Sequence, residues 1–91
     1  MTKYDKHLKI CEELNKIYVN KNHDYGDSFG DTFRKLGIVS AVTRITDKTN
    51  RLQSLCRKQQ KVNDESIRDT LMDLANYAIM TIIELDAEKE R

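Results

Sequence analysis

ESIRDTLMDLANYAIM, residues 65–80, is patterned as a helix with two unlike faces. Each residue of a helix advances the side chain by about 100°. On that wheel one quadrant collects four polar residues, Glu65, Asp69, Asp73 and Asn76, and the opposite side collects four apolar residues, Ile67, Leu71, Leu74 and Ala78. Acids four apart destabilise a helix by about 0.2–0.5 kcal/mol per pair. We therefore expect the apolar face to be buried and the acids to meet basic side chains or a bound cation.

The composition is that of a small helical domain. Of 91 residues, 38% are hydrophobic and 34% are charged, with 3 glycines and no proline. The glycines and prolines that usually mark the turns between strands are therefore scarce. The net charge of +1 gives no bulk attraction to nucleic acids or membrane surfaces. No apolar run reaches the roughly 20 residues that span a bilayer. We expect one domain over residues 1–91, cytoplasmic, with no membrane and no direct nucleic-acid partner.

The apolar periodicity predicts a small all-α bundle of three main helices. These helices are expected at residues 4–20, 33–58 and 65–88. A turn-rich loop at 21–32 and a polar connection at 59–64 separate them, and Gly37 is placed to interrupt the start of the second helix. The core stripe of the first helix is Leu8, Cys11, Leu14 and Tyr18, and that of the second is Ile38, Val42, Ile45, Thr49, Leu52 and Cys56. Cys11 and Cys56 are therefore expected to be free, buried thiols.

The second half of the last predicted helix, residues 74–85, is apolar almost all round. A helix that is apolar on every side is normally buried on every side. Three helices of a 91-residue chain offer only a modest core. We therefore expect this half of the helix to lie at a subunit interface, so that homo-oligomerisation through the C-terminal helix completes the bundle.

The predicted loop, KNHDYGDSFGDT at residues 21–32, carries two aromatic residues, Tyr25 and Phe29. One interpretation pins these rings into the nearby core. The other makes the loop the wall of a pocket that stacks on a flat ligand such as a nucleobase. The residue types alone favour neither interpretation.

The middle helix carries a basic stripe whose members are spaced i, i+3, i+4 and i+7: Arg44, Asp47, Lys48 and Arg51. Such a stripe is most often solvated, or it pairs with the acids of the last helix and needs no ligand. A functional interpretation joins the two helices. Basic groups hold phosphates, and carboxylates such as Glu65, Asp69 and Asp73 hold Mg²⁺ together with waters and substrate phosphates.

Three segments, KNHDYGDSF, RITDKTNRL and ESIRDTLMDLANYAIM, resemble in order and spacing the nucleotide modification associated domain 1 family of small bacterial and phage proteins. The resemblance covers residues 21–80. That family is distantly similar to the all-α nucleoside triphosphate pyrophosphatases, the MazG and dimeric dUTPase group. The resemblance implies a MazG-like helical bundle, a dimer or tetramer, in which acids on two helices hold Mg²⁺ and a nucleoside triphosphate is cleaved to a monophosphate and pyrophosphate.

Carried over by position, the resemblance implies a metal site and a nucleotide site. The implied Mg²⁺ ligands are Asp47, Glu65, Asp69 and Asp73, and the catalytic candidates among them are Asp69 and Asp73. The implied substrate contacts are Tyr25, Asp27, Phe29, Arg44, Lys48, Arg51 and Asn76, the basic residues on phosphates and the others on the base or sugar. The chain departs from the pyrophosphatase pattern on both helices. Arg44 and Asp47 stand where that group has an ExxE pair, and the acids of the last helix are four apart rather than three.

Three functions are consistent with these patterns. The first is a Mg²⁺-dependent pyrophosphatase acting on a free, unmodified or modified nucleotide. The second is a non-catalytic oligomer that sequesters a nucleotide or a nucleotide immune signal, which the missing ExxE pair favours. The third is a structural helical oligomer in which the charged stripes satisfy each other. All three depend on whether the acids of the last helix and the cations of the middle helix converge.

Overall fold

In the computed structural model, residues 1–58 and 64–90 are described, and the regular secondary structure within them is entirely α-helix. Four helices follow one another: α1 Lys3–Tyr25, α2 Ser28–Leu36, α3 Ile38–Arg57 and α4 Asp64–Glu90. The all-α prediction is confirmed. The prediction of three main helices is wrong, because residues 28–36 form a helix of their own. The predicted connection at 59–64 lies outside the described residues, apart from Asp64, with which α4 begins.

The segment predicted to be a loop, residues 21–32, is mostly helical. Gly26 alone turns out of α1, with φ 68° and its N–H donating to the Asn22 carbonyl at 2.8 Å. Asp27 then caps α2, because its carboxylate accepts from the Gly30 N–H at 3.3 Å. Glycine and aspartate are common in loops and are equally common at helix ends. Here they separate two helices rather than form a long loop.

The helix predicted at 33–58 is divided at Gly37, which has φ 76°. Its N–H donates to the Phe33 carbonyl at 2.7 Å and ends α2. This backbone conformation is open mainly to glycine. α3 starts at the next residue, so one glycine makes the whole connection between two helices.

The helices pack around a small core. α3 and α4 lie antiparallel, as the pairs Lys48–Asp73 and Arg51–Thr70 show. α2 packs on both of them, and α1 contacts α4. The buried hydrophobic residues of the described chain are Leu14, Phe33, Ala41 and Met72. Thus each helix contributes one residue to the centre of the core.

Several residues predicted to be in the core are exposed. They are Leu8 and Cys11 on α1, Ile38, Val42 and Cys56 on α3, and Leu71 and Ala78 on α4. The thiols are free, as predicted, but the prediction that they are buried is wrong. The sequence correctly predicted that these residues lie on helices, but it did not predict which part of each apolar stripe is covered by another helix. Each stripe extends beyond the part of its helix that contacts another of the described helices.

The apolar half of α4 is also only partly covered. Ile79, Ile82 and Ile83 are 45%, 56% and 48% exposed. Burial on all sides is therefore not achieved within the described part of one chain. No helix among the described residues combines the length and the apolar character needed to cross a membrane.

Candidate functional site

All four helices contribute to one pocket of about 450 Å³. α1 and α4 each contribute four residues spaced i, i+3, i+4 and i+7: Tyr18, Lys21, Asn22 and Tyr25 from α1, and Asp73, Asn76, Tyr77 and Met80 from α4. α2 adds Phe29 and Thr32, α3 adds Ser40 and Arg44, and the turn between α1 and α2 closes one side. Because of this spacing, the pocket lies between one continuous face of α1 and one continuous face of α4.

The charged wall of the pocket is centred on Asp73. One carboxylate oxygen accepts from the Lys48 ammonium at 3.0 Å and the other from the Lys21 ammonium at 3.5 Å. Asp73 and Lys48 are well covered, at 31% and 25% side-chain exposure, whereas Lys21 is 62% exposed. Arg44 lines the same pocket. Lys48 does not itself line the pocket, but it is bound to Asp73, which does. Lys21, Arg44 and Lys48 together outnumber Asp73, so this cluster has a net positive charge.

Aromatic rings form the apolar part of the pocket lining. Phe29 stacks on Tyr77, with ring centroids 5.9 Å apart and an interplanar angle of 28°. Tyr18 is half-buried, while Tyr25 at the end of α1 is 75% exposed. The two interpretations of the aromatic residues therefore both apply. Phe29 packs against α4, and both Phe29 and Tyr25 line the pocket.

Asp27 on the rim of the pocket is held by Arg34. The Arg34 guanidinium donates to Asp31 at 2.6 Å, to Asp27 at 3.2 Å and to the buried Glu84 at 3.2 Å. The hydrogen bonds to Asp31 and then to Asp27 raise the pKa of Arg34 above its ordinary value. The same arginine thus ties the cap of α2 to α4. Asp27 is a fixed part of the rim.

Asn76 lines the pocket and also joins two helices. Its side-chain N–H donates to the Leu14 carbonyl of α1 at 3.1 Å. The predicted contact with a base or sugar therefore has to be made alongside this structural bond. This bond gives the half-buried Asn76 amide, which lies in the apolar half of α4, the partner that such a group needs.

The other predicted site residues lie elsewhere. Arg51 donates to the Thr70 hydroxyl at 3.2 Å, and Asp47 lines a separate shallow groove with Val42. Glu65 and Asp69 are exposed on α4 and do not line the four-helix pocket. Within residues 1–58 and 64–90, no three His, Cys, Asp or Glu side chains are grouped so as to hold a metal ion. The four implied Mg²⁺ ligands are thus not assembled by this part of one chain.

Sequence reasoning missed nine of the residues that line the pocket, and three of these, Tyr18, Lys21 and Tyr77, carry an aromatic ring or a charge. Lys21 and its neighbours were predicted to form a loop, and Tyr77 belongs to the apolar half of the last helix that was expected at a subunit interface. A signal was present, because Tyr18, Lys21, Asn22 and Tyr25 continue the helical spacing of the first helix. Extending that helix to residue 25 would have placed all four on one face.

Comparison with known proteins gives one finding. No curated protein matches this chain, and no solved structure does so. The family model for nucleotide modification associated domain 1 matches residues 21–85. The matched range contains the three quoted sequence segments and all the pocket residues except Tyr18. It also covers well over half of the 91 residues, so the chain belongs to the nucleotide modification associated domain 1 family.

Proposed function

We propose that this protein binds a nucleoside phosphate in the four-helix pocket. The observation that carries the proposal is the Lys21–Asp73–Lys48 cluster, of which Lys21 and Asp73 line an aromatic-lined cavity. Phosphate recognition needs concentrated positive charge, and base recognition needs flat apolar surface. The family name, which refers to nucleotide modification, agrees with this ligand class.

The phosphates are assigned to Lys21, Lys48 and Arg44. Both lysines are already oriented toward one carboxylate, so a phosphoryl group that approaches the same point meets donors that are in place. A charge-assisted hydrogen bond contributes about 1.5–3 kcal/mol. Losing one of these lysines should therefore weaken binding by roughly ten- to a hundredfold.

The base is assigned to the aromatic side, against Tyr25 and the Phe29–Tyr77 pair. Stacking of a base on an aromatic side chain contributes about 1–3 kcal/mol. A volume of about 450 Å³ is within the usual range of small-molecule pockets. The exposed Tyr25 stands at the opening, where it can close over a bound base.

The binding is proposed to be non-catalytic. Mg²⁺ is normally held by one or two carboxylates plus substrate phosphates. Here both oxygens of Asp73 accept from lysines, and Asp27 is held by Arg34. The donor set that faces this pocket in the described chain therefore does not fit a divalent cation. Sequestration of a nucleotide, in a phage or bacterial setting, would follow from such binding.

A Mg²⁺-dependent nucleoside triphosphate pyrophosphatase, like the MazG group, is the second candidate. One observation favours it: Asp73, one of the four implied metal ligands, lies on the pocket wall beside the cations assigned to phosphates. The two candidates differ in what Mg²⁺ does. The pyrophosphatase needs it, and the binder does not.

Calorimetric titration with canonical and modified nucleotides tests the proposal. We expect binding that persists in a chelator, is weakened at least tenfold by Lys48→Ala and is unchanged by Lys16→Ala. Lys16 is the matched control, because it is an exposed lysine of α1 that does not line the pocket. Circular dichroism of both variants is the control for retention of the helical fold.

The same samples separate the remaining functions. Pyrophosphate release from a nucleoside triphosphate that requires Mg²⁺ would replace the binder by the pyrophosphatase. Absence of binding across the panel, with Lys48→Ala lowering only stability, would reject both. The charged stripes would then be structural, as in the third function considered from the sequence.

A further inference from the structure

The first half of α1 has no cover in the described chain. Every residue from 1 to 12 is exposed, although Tyr4, Leu8 and Cys11 form an apolar stripe at i, i+4 and i+7. Tyr4 is 86% and Leu8 is 59% exposed. We name these three residues the α1 stripe. A helix end that carries such a stripe normally packs against another surface.

A second apolar stripe lies on the C-terminal half of α4. Ile79, Ile82 and Ile83 form it, and each is about half exposed. We name these three residues the α4 stripe. α1 contacts α4 through Glu13, Leu14 and Lys21, on neither stripe, so both are open within the described residues.

The surface area of the chain indicates what covers them. A compact monomer of 10.7 kDa exposes about 5,500 Å², whereas this chain exposes 7251 Å². The excess of about 1,700 Å² is the amount that each partner contributes to a large, permanent dimer interface. The radius of gyration, 14.9 Å, likewise exceeds the roughly 12 Å of a compact domain of this length.

The charges at the two ends fit each other. Residues 3–9 contain three lysines and one aspartate, net +2, and residues 85–90 contain three acids and one lysine, net −2. If the two segments pair antiparallel with residue 11 near residue 79, residue 8 lies near residue 82 and residue 3 near residue 87. The α1 stripe then meets the α4 stripe, and the lysine-rich end meets the acidic end. The antiparallel arrangement also opposes the two helix dipoles.

We propose that the protein is a two-fold symmetric dimer in which the α1 stripe of each copy packs antiparallel on the α4 stripe of the other. The interface is isologous, because the same two surfaces are used twice. It differs from the interface expected from sequence, which involved the C-terminal helix alone. The proposal does not depend on the nucleotide pocket, which contains no residue of either stripe.

Sedimentation equilibrium of the full chain across micromolar concentrations tests it. We expect a mass twice 10.7 kDa. Leu8→Glu and Ile82→Glu should each raise the dimer dissociation constant at least tenfold, because each places a charge in the apolar interface twice per dimer. Val42→Glu is the matched control: Val42 is 50% exposed on α3, outside both stripes, and the variant should remain dimeric.

A charge reversal tests the pairing of the two ends. Lys3→Glu with Lys6→Glu should weaken the dimer, and Asp86→Lys with Glu90→Lys should do the same. All four changes in one chain should restore association, since both copies of the contact are then reversed. A monomer of 10.7 kDa throughout would overturn the proposal. So would dissociation by Val42→Glu alone, or the lack of restoration by the fourfold variant.

Discussion

Asp73 shows how much one residue determines in this protein. Its carboxylate is the point where α1, α3 and α4 meet through charge, with Lys21 and Lys48 on its two oxygens. The sequence left open whether an acid of the last helix meets a cation of the middle helix, and the Lys48–Asp73 pair shows one such contact. Under the proposed function, this carboxylate competes with the bound phosphate for the two lysines.

Asp73→Asn is expected to tighten nucleoside phosphate binding several-fold. The substitution removes a negative charge that competes with the phosphate, and it leaves both lysines in place. Calorimetric titration without added metal measures the change. Asp69→Asn is the control, because Asp69 lies one turn earlier on α4, exposed and outside the pocket, and its loss should change the affinity little. Weaker binding by Asp73→Asn would show that the carboxylate serves to orient the lysines.

At the scale of helices, two glycine joints determine how α2 is set between its neighbours. Gly26 and Gly37 both have positive φ with ψ near 180°, a region that other residues enter only with strain. The short α2 places Phe33 in the core and Phe29 on the pocket. The joints therefore matter to both the fold and the site.

Gly37→Ala is expected to destabilise the protein by about 1–3 kcal/mol, because alanine would be held in that strained backbone region. No atom lies within 4 Å of a Cβ built there, so the cost comes from the backbone and not from a clash. Urea unfolding at one protein concentration measures it. Lys35→Ala, an exposed change two residues earlier in α2, should stay within about 0.5 kcal/mol. Equal stability of the two variants would contradict the expectation.

The contact between α1 and α4 is sensitive to acid. Arg68 donates two hydrogen bonds to the Glu13 carboxylate, and the bond lowers the pKa of Glu13 below its ordinary value of 4.5. A lowered folded-state pKa stabilises the fold above the unfolded-state pKa, and this contribution is lost as the pH falls through the folded-state value.

Glu13→Gln is accordingly expected to lower the melting temperature at pH 7, with the difference from the original chain narrowing progressively below pH 4.5. Thermal scans at several pH values, at constant ionic strength, measure this. Glu12→Gln, its exposed neighbour, should show little difference at any pH. A difference between Glu13→Gln and the original chain that does not depend on pH would rule out the ion pair as its source.

For the molecule as a whole, a small core makes each central side chain costly to lose. Phe33→Ala, at a residue only 1% exposed, is expected to cost about 3–5 kcal/mol of the roughly 5–15 kcal/mol that stabilise a domain. Chemical denaturation measures it at a fixed concentration. Leu36→Ala serves as the comparison, since Leu36 is 69% exposed in the same helix. A similar loss from both would mean that α2 contributes little to the core.

The sequence predicted the all-α class, the long last helix and six residues that line the pocket. It predicted these because helical periodicity and residue chemistry are local signals. It placed an interruption at Gly37 but did not predict that α2 starts at Ser28, because Gly26, Asp27 and Gly30 are as typical of a loop as of two helix ends. Nor did it find Lys21 and Tyr77 as site residues. Their role depends on how α1 meets α4, which no short-range pattern records.

Gly37 is the entire connection between α2 and α3, so this connection has no further residues that could absorb an insertion. One inserted residue would rotate all later side chains of α3 by about 100° around the helix axis. Arg44 would then leave the pocket lining and Lys48 would lose its contact with Asp73, although neither residue had been altered. Relatives that retain this pocket should therefore keep the distance from Phe33 to Arg44 constant in residues. An alignment gap in that interval would identify a relative that has lost the site.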